Sequence, residues 1–239
     1  MRRRRPAEAP PPASGQTPRG GPERFPGFDV SAGQGRWDPA TAAVVSGRVG
    51  RPPDIRFFTP AEEAIATALL DLLLGQQEPD PHTVLGARSA DQQRGRPRIP
   101  VTAMIDSRLA EAETDGWRYA NMPEDGQAWR DTLRYLEGDA QAKYGYGFAD
   151  CPPSDQAALI QAVQDAGSGD WHGLPASRVW SLWTRYACTA FYAHPWAWNE
   201  IGFPGPAYPR GYKNIGVGKR EPFEVPDARP AADPARGDG

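Results

Sequence analysis

The sequence has few of the residues that build metal and redox sites. Its 239 residues include two cysteines, Cys151 and Cys188, and three histidines, at positions 82, 172 and 194. Zinc sites and haem attachment need spacings such as His-x-x-x-His or Cys-x-x-Cys, which are absent, and an iron–sulfur cluster usually takes four cysteines. The sequence therefore predicts no metal or cofactor bound by this chain. Two cysteines make no disulfide framework, and we expect two buried thiols in preference to a bridge between them.

Long apolar runs are also missing. No stretch approaches the roughly 18 apolar residues that indicate a membrane-spanning helix. The run Arg2–Arg5 is followed by Pro6 and Glu8, where an export signal would have an apolar core of about 7–15 residues. As written, the sequence predicts a cytoplasmic protein, with a periplasmic or other extracytoplasmic location as the alternative. We interpret the four arginines as a solvated cluster, and the alternative is weak attraction to an anionic lipid surface.

Signatures of nucleotide and nucleic-acid binding are absent as well. No G-x-G-x-x-G run follows a strand pattern, and Gly218-Lys219 lacks the other residues of a phosphate-binding loop. The formal net charge is −3, but the first 56 residues carry ten arginines against five acids, so the remainder carries about −8. A nucleic-acid reader places its positive charge on the folded surface. An acidic body with a basic tail therefore predicts no nucleic-acid partner.

Proline and glycine, by contrast, are abundant, with 27 and 26 residues. Much of this excess lies at the two ends, where the apolar content is too low to offset the entropy of ordering. The sequence therefore predicts a disordered Arg/Pro/Gly-rich tail over residues 1–55, one domain over residues 56–223 and a disordered tail over residues 224–239. A domain of that length is large enough for one hydrophobic core.

Between the ends, apolar residues recur at three- and four-residue spacing, which is typical of amphipathic helices. Thr59, Pro60 and Glu62 form a capping box with proline at the first helical position, and this helix is predicted to end near Gly75. Four more helices are predicted to begin at Pro100, Pro123, Ser154 and Pro175. Five helices without a convincing strand predict an all-α domain.

The helical spacing also predicts which side chains form the core. These are Ile65, Ala66, Leu69, Leu70, Leu72, Leu73, Val101, Met104, Ile105, Leu109, Trp129, Leu133, Leu136, Ala140, Leu159, Ile160, Val163, Val179, Trp180, Trp183, Ala187 and Phe191. Residues 76–99 and the stretch around 116–119 are predicted to be loops, and His82 in the first of them has no neighbouring ligand residue.

Residues 191–212, the aromatic segment, read FYAHPWAWNEIGFPGPAYPRGY and hold seven of the chain's 24 aromatic residues. Four prolines and three glycines lie between the rings, so no regular element is expected to continue beyond Ile201. Rings on such an irregular backbone must be buried against the chain's own core or against a partner. Because Trp, Tyr and Arg are the usual interface anchors, we predict partner binding by Trp196, Trp198, Asn199, Glu200, Phe203, Tyr208, Arg210 and Tyr212.

The aromatic segment, together with Trp183 and Arg185-Tyr186 just before it, resembles the signature of the gluconate 2-dehydrogenase subunit 3 family. Residues 57–59 and 100–106 match as well, so the resemblance extends over about residues 56–223. Members of this family accompany large flavin-dependent sugar and polyol dehydrogenases of the glucose–methanol–choline type. The resemblance implies a non-catalytic small subunit that binds, stabilises and helps to assemble such a dehydrogenase. It implies FAD in the partner subunit and none in this chain, and it allows for a cytochrome c subunit as a further partner.

Two alternative functions stay open on the residues alone. His194 lies a few residues before Glu200, so a stand-alone enzyme could use His194 and Glu200 as base and acid. A histidine among tryptophans at a helix end is, however, more often a structural group. The Arg-rich tail could instead make the chain an adaptor at a membrane surface.

Overall fold

The computed structural model describes residues 25–77, 98–113, 119–216 and 219–228. The chain forms two compact units. The helical unit comprises residues 44–197, and the terminal unit comprises residues 1–43 and 198–239, so the two ends of the chain belong to one unit. Most described residues are helical, which confirms the predicted all-α fold.

The described elements are mainly helices. In chain order they are the 3-10 helix Val30–Arg36, α1 (Pro39–Val49), α2 (Pro60–Leu74), α3 (Val101–Ala110), α4 (Asp125–Tyr144), the 3-10 helix Phe148–Asp150, α5 (Pro153–Asp165), β1 (Asp170–Trp171), β2 (Leu174–Pro175), α6 (Ala176–Tyr192) and α7 (Pro195–Ile201). Helices α2 to α6 are the five predicted ones, and they pack around a shared core. None of the helices in the described ranges is long and apolar enough to cross a lipid bilayer.

Helix α2 begins and ends where its sequence signals place it. The Thr59 hydroxyl accepts a hydrogen bond from the Glu62 amide (3.3 Å), and the Glu62 carboxylate accepts one from the Thr59 amide (2.8 Å), so the capping box is formed. Gly75 ends the helix with a φ of 63°, which glycine adopts without the steric cost of a Cβ. Arg130 of α4 donates to the Glu62 carboxylate (2.6 Å) and to the Phe57 carbonyl (2.6 Å), which ties the start of α2 to α4.

A buried carboxylate on α3 holds the chain that leads into α2. Asp106 is fully buried and accepts hydrogen bonds from the backbone amides of Arg56 (2.7 Å), Phe57 (2.9 Å) and Phe58 (2.7 Å). The carboxylate is tolerated in the interior because these charge-assisted bonds replace its water shell. The two stretches at residues 57–59 and 100–106 that carry the family resemblance therefore meet in the structure.

The core of the helical unit is apolar and aromatic. All predicted core positions are buried or packed against the buried cluster, whose largest fully buried side chains include Trp129, Trp183, Tyr186 and Phe148. The Trp183 indole N–H donates to Thr132 Oγ1 (3.1 Å), so this ring is buried without an unsatisfied donor. A fully buried large apolar side chain contributes roughly 1.5–3 kcal/mol, and the cluster is therefore the main source of stability of this unit.

Strands β1 and β2 form an antiparallel hairpin, which corrects the expectation of a domain without strands. Its turn residues His172 and Gly173 have φ values of 52° and 79°, as a type I′ turn requires. The Trp171 indole donates to Asp139 (2.9 Å), His172 bonds to the same carboxylate (2.8 Å), and the Tyr135 ring stacks on His172. Side-chain contacts to α4 hold the hairpin, and two-residue strands are too short to show an alternating pattern.

The prediction of a disordered tail over residues 1–55 was wrong for its described part. Residues 30–36 form a 3-10 helix, and α1 follows at residue 39. The Asp38 carboxylate accepts from the amides of Ala40 (3.0 Å) and Thr41 (3.2 Å), and Pro39 occupies the first helical position. This is a local helix-start signal that the high Pro and Gly content of the whole tail obscured.

Two smaller predictions also need correction. Ser154 does not cap its helix, because α5 already begins at Pro153 and no side-chain cap is present. Both cysteines are free, but Cys188 is exposed and only Cys151 is buried, since position 188 falls outside the buried stripe of α6. Of the predicted loop over residues 76–99, residues 78–97, with His82, lie outside the described residues, and so do residues 116–118 of the loop predicted around 116–119.

Candidate docking surface

The terminal unit brings the two ends of the chain together. Gly202 (φ 69°) and Gly205 (φ 80°) lie directly against the rings of Phe25 and Trp37, so a Cβ at either glycine would overlap the ring. The positive φ and the close approach both require glycine at these two positions. The glycines of the aromatic segment thus allow two N-terminal rings to pack against its backbone.

Two of the predicted partner-binding residues, Trp198 and Asn199, are buried within the terminal unit. Asn199 Oδ1 accepts a buried hydrogen bond from the Val30 amide (2.8 Å). The Trp198 ring is 5 % exposed and packs edge-on against Phe203, with centroids 5.4 Å apart. Phe203 and Glu200 are half-buried. These contacts give Trp198 and Asn199 an internal structural role.

Other members of the predicted set lie on the surface. Tyr208 is 67 % exposed and Tyr212 is 44 % exposed, and so is Ile215, at 82 %, which the sequence analysis did not single out. The Tyr212 ring contacts Phe223, with centroids 5.8 Å apart. Exposed rings and an exposed aliphatic side chain within eight residues are typical of a surface that a partner covers. Tyr208, Arg210, Tyr212 and Ile215 are called the docking surface below.

Arg210 has an unusual environment for a cation. Its guanidinium stacks over the Phe223 ring, with Cζ 3.8 Å from the ring centroid. All three guanidinium nitrogens are shielded from solvent, and none of them has a hydrogen-bond acceptor among the described residues. Burial, together with the like charge of Arg36, lowers the pKa of Arg210. Burying a guanidinium without acceptors is unfavourable, so this side chain is incompletely satisfied.

Glu221 and Glu224, two acids that follow the docking surface in the chain, already accept hydrogen bonds within the terminal unit. Glu221 is buried, and its carboxylate accepts from the backbone amides of Lys213 and Asn214 and from Asn214 Nδ2 (3.2 Å). The hydrogen bond from the Asn214 amide, with further help from the Lys213 amide, lowers the pKa of Glu221. Glu224 accepts from the Glu221 amide (2.6 Å). Neither carboxylate is a hydrogen-bond partner of Arg210 in the described terminal unit.

In the helical unit, His194 and Trp196 lie where α6 passes into α7. His194 is 1 % exposed, and its Nδ1 accepts from the Trp196 amide (3.2 Å). Burial lowers the pKa of His194, against the opposing effect of a hydrogen bond with the Arg48 backbone. A shielded imidazole that already accepts a backbone amide is not placed to act on a substrate, so the geometry favours a structural role for His194. Trp196 is half-buried beside it, with ring centroids 4.6 Å apart.

A small cavity opens beside α6 in the helical unit. It measures about 10 Å³ and is lined by Tyr119, Met122, Asp125, Arg178, Ser181, Leu182 and Arg185. That is room for about one water molecule, whereas pockets for small ligands typically measure about 300–1,000 Å³. Asp125 accepts from the Tyr186 hydroxyl (2.7 Å), and burial, together with this carboxylate, raises the pKa of Tyr186.

Within the described residues, no group of three or more His, Cys, Asp or Glu side chains is arranged for a metal ion.

One protein family matches this chain, over most of the helical unit and over the first residues of the C-terminal segment in the terminal unit. Residues 60–205 match the model of gluconate 2-dehydrogenase subunit 3. The chain belongs to the gluconate 2-dehydrogenase subunit 3 family. Searches of the curated proteins and of the solved structures found no match. The region shared with gluconate 2-dehydrogenase subunit 3 includes Trp196, Trp198 and Phe203 and ends before the docking surface.

Proposed function

We propose that this chain is a non-catalytic small subunit that binds, stabilises and helps to assemble a large flavin-dependent dehydrogenase. The family match over residues 60–205 carries the proposal, because the family is described as a subunit of gluconate 2-dehydrogenase. A subunit needs a surface that another chain covers. The exposed Tyr208, Tyr212 and Ile215 offer such a surface in the terminal unit.

The partner is proposed to be a dehydrogenase of the glucose–methanol–choline type that acts on a sugar, gluconate or another polyol. FAD is proposed to be bound by that partner, because the sequence of this chain has no dinucleotide-binding glycine motif. A cytochrome c subunit is a further proposed partner. In this arrangement the chain contributes binding and stability, and the chemistry takes place in the large subunit.

The eight residues predicted to bind the partner then divide into two roles. Tyr208, Arg210 and Tyr212 are proposed to contact the large subunit directly, within an interface of about 1,200 Å² or more. The other five are buried or half-buried and are proposed to have structural roles. Trp198, Asn199, Glu200 and Phe203 would hold the docking surface within the terminal unit, and Trp196 packs beside His194 in the helical unit. Direct contact by Trp198 would require its ring to leave Phe203, which makes Tyr208 the better position to test.

Purification of the tagged full-length chain from its native cell tests the proposal. We expect a large companion protein and visible flavin absorbance in the eluate. Tyr208→Ala should weaken this association about ten-fold, because an aromatic anchor at an interface is worth about 1–2 kcal/mol. Tyr146→Ala is the matched control, since Tyr146 is 61 % exposed but lies in the helical unit, outside the docking surface.

The outcomes separate the parts of the proposal. A colourless single chain would contradict the small-subunit role. A flavoprotein bound equally well by Tyr208→Ala would keep that role but exclude Tyr208 from the interface. Turnover of a sugar or polyol by the isolated chain would contradict the non-catalytic assignment.

A further inference from the structure

Arg210 is the charged group of the docking surface, and its hydrogen-bonding capacity is unused within the described residues. Its N–H donors have no acceptor among the described residues, although all three nitrogens are shielded from solvent. The guanidinium is held by its stacking over Phe223, at 3.8 Å from the ring centroid. Stacking leaves the donors in the guanidinium plane unused. The group can therefore turn towards an acceptor without breaking a hydrogen bond.

We propose that Arg210 binds a carboxylate of the large dehydrogenase subunit, an aspartate or glutamate side chain, when the two chains associate. This inference rests on the proposed function. The planar guanidinium fork matches a carboxylate in bidentate geometry. The Tyr212 ring contacts the same Phe223 ring on which Arg210 stacks, so it would help to exclude water from the pair, which is the arrangement in which a charged pair contributes most to an interface.

The charges around Arg210 favour an acidic occupant. Arg36 acts on Arg210 as a second cation, and Lys213 is exposed just after the tyrosine at position 212. Two acids of the same stretch, Glu221 and Glu224, accept from backbone amides. The like charges of Arg36 and Arg210 attract a carboxylate and repel a further cation. An ordered water molecule is the competing occupant, because it would satisfy part of the donors without any partner.

One substitution with opposite effects on the free chain and on the complex tests the proposal. Arg210→Met keeps a long apolar side chain and removes the charge. We expect the Tm of the isolated full-length chain to rise by about 2–4 °C, because an unsatisfied buried charge is lost. The affinity for the flavoprotein companion should fall at least about ten-fold, because the partner carboxylate is left unpaired.

Two further variants sharpen the comparison. Arg210→Lys keeps the charge without the fork, and its affinity should lie between those of the wild type and Arg210→Met. Arg220→Met is the matched control, because Arg220 is an exposed arginine of the same stretch. Its affinity should change by less than about three-fold, as for other exposed charges.

Three results would overturn the inference. A lower Tm for Arg210→Met, with unchanged affinity for the flavoprotein companion, would mean that ordered water molecules within the chain already satisfy the guanidinium N–H groups. Equal affinity of the wild type and Arg210→Met for the companion would overturn the inference alone and leave the small-subunit role intact. Failure of the wild-type chain to capture any flavoprotein would overturn the proposed function, and it would be observed before any substitution is compared.

Discussion

The helical unit and the terminal unit treat their buried polar groups differently. In the helical unit, Asp106 accepts three backbone amides, and Thr132 Oγ1 accepts from the indole of a buried tryptophan. In the terminal unit, the shielded guanidinium of Arg210 has no acceptor among the described residues, while Tyr208 and Ile215 are exposed. The contrast is one of charge, because the Trp129 indole N–H of the helical unit also has no acceptor among the described residues. The buried carboxylate of the helical unit is satisfied internally, whereas the shielded guanidinium of the terminal unit is the group that we propose a partner satisfies.

The family match follows the same division. Residues 60–205 include α2 to α7 and the glycine on which the Trp37 ring packs, and the match ends three residues before Tyr208. The shared part is therefore the scaffold, together with the part of the aromatic segment that holds the N-terminal rings. The residues that would determine the partner lie just beyond it, so we expect the choice of partner to be adjustable without change to the helical core.

Among the substitutions that test this difference between the two units, Asp106→Ala is expected to have the largest effect on stability. The substitution leaves the amides of Arg56, Phe57 and Phe58 without their acceptor, and it should lower the free energy of unfolding by about 3 kcal/mol. Chemical denaturation followed by circular dichroism measures this loss. Asp131→Ala is the control, because Asp131 pairs with the exposed Arg134 on the same helix and should cost less than about 1 kcal/mol. Equal effects of the two substitutions would show that the buried amides find other acceptors.

A smaller effect, confined to one unit, is expected from Gly205→Ala. The new Cβ would overlap the Trp37 ring at a φ of 80°, and the packing of the two chain ends should weaken by about 2 kcal/mol. Amide hydrogen exchange should become faster in residues 25–43 and 198–216 and stay unchanged in α2 to α6. Gly211→Ala is the matched control, because its φ is 69° but no atom lies within 4 Å of the added Cβ. Faster exchange in the core helices as well would show that the two units do not respond separately.

The same division explains what could be predicted from the sequence. The capping box at Thr59 and the apolar stripes of α2 to α6 are local signals, and the structure bears them out. The packing of Phe25 and Trp37 on two glycines joins residues that are far apart in the chain, and no local sequence pattern predicts such a contact. Composition alone therefore identifies the aromatic segment as important. The composition of that segment does not predict which of its aromatic rings are buried against the N-terminal residues and which stay exposed.

The smallest expected effect concerns the response of the two units to acid. Burial lowers the pKa of His194 below the value of 6.5 for an unperturbed histidine. The unfolded state then binds the proton at higher pH than the folded state, so stability is retained above about pH 6.5 and is lost as the pH falls towards the folded-state pKa. In the terminal unit, hydrogen bonds lower the pKa of Glu221 below 4.5, so its contribution is lost only at more acidic pH.

Thermal unfolding of the wild type and of His194→Gln between pH 7.5 and pH 5.5 measures this difference. Glutamine keeps an acceptor for the Trp196 amide but does not titrate. The wild type should therefore lose on the order of 1 kcal/mol more than the variant over this range. Hydrogen exchange at the same pH values should place the loss in the helical unit, since the Glu221 contacts persist until the pH falls below about 4.5. Parallel pH curves for the two proteins would contradict the prediction. They would mean that His194, although only 1 % exposed, binds a proton as readily in the folded state as in the unfolded state.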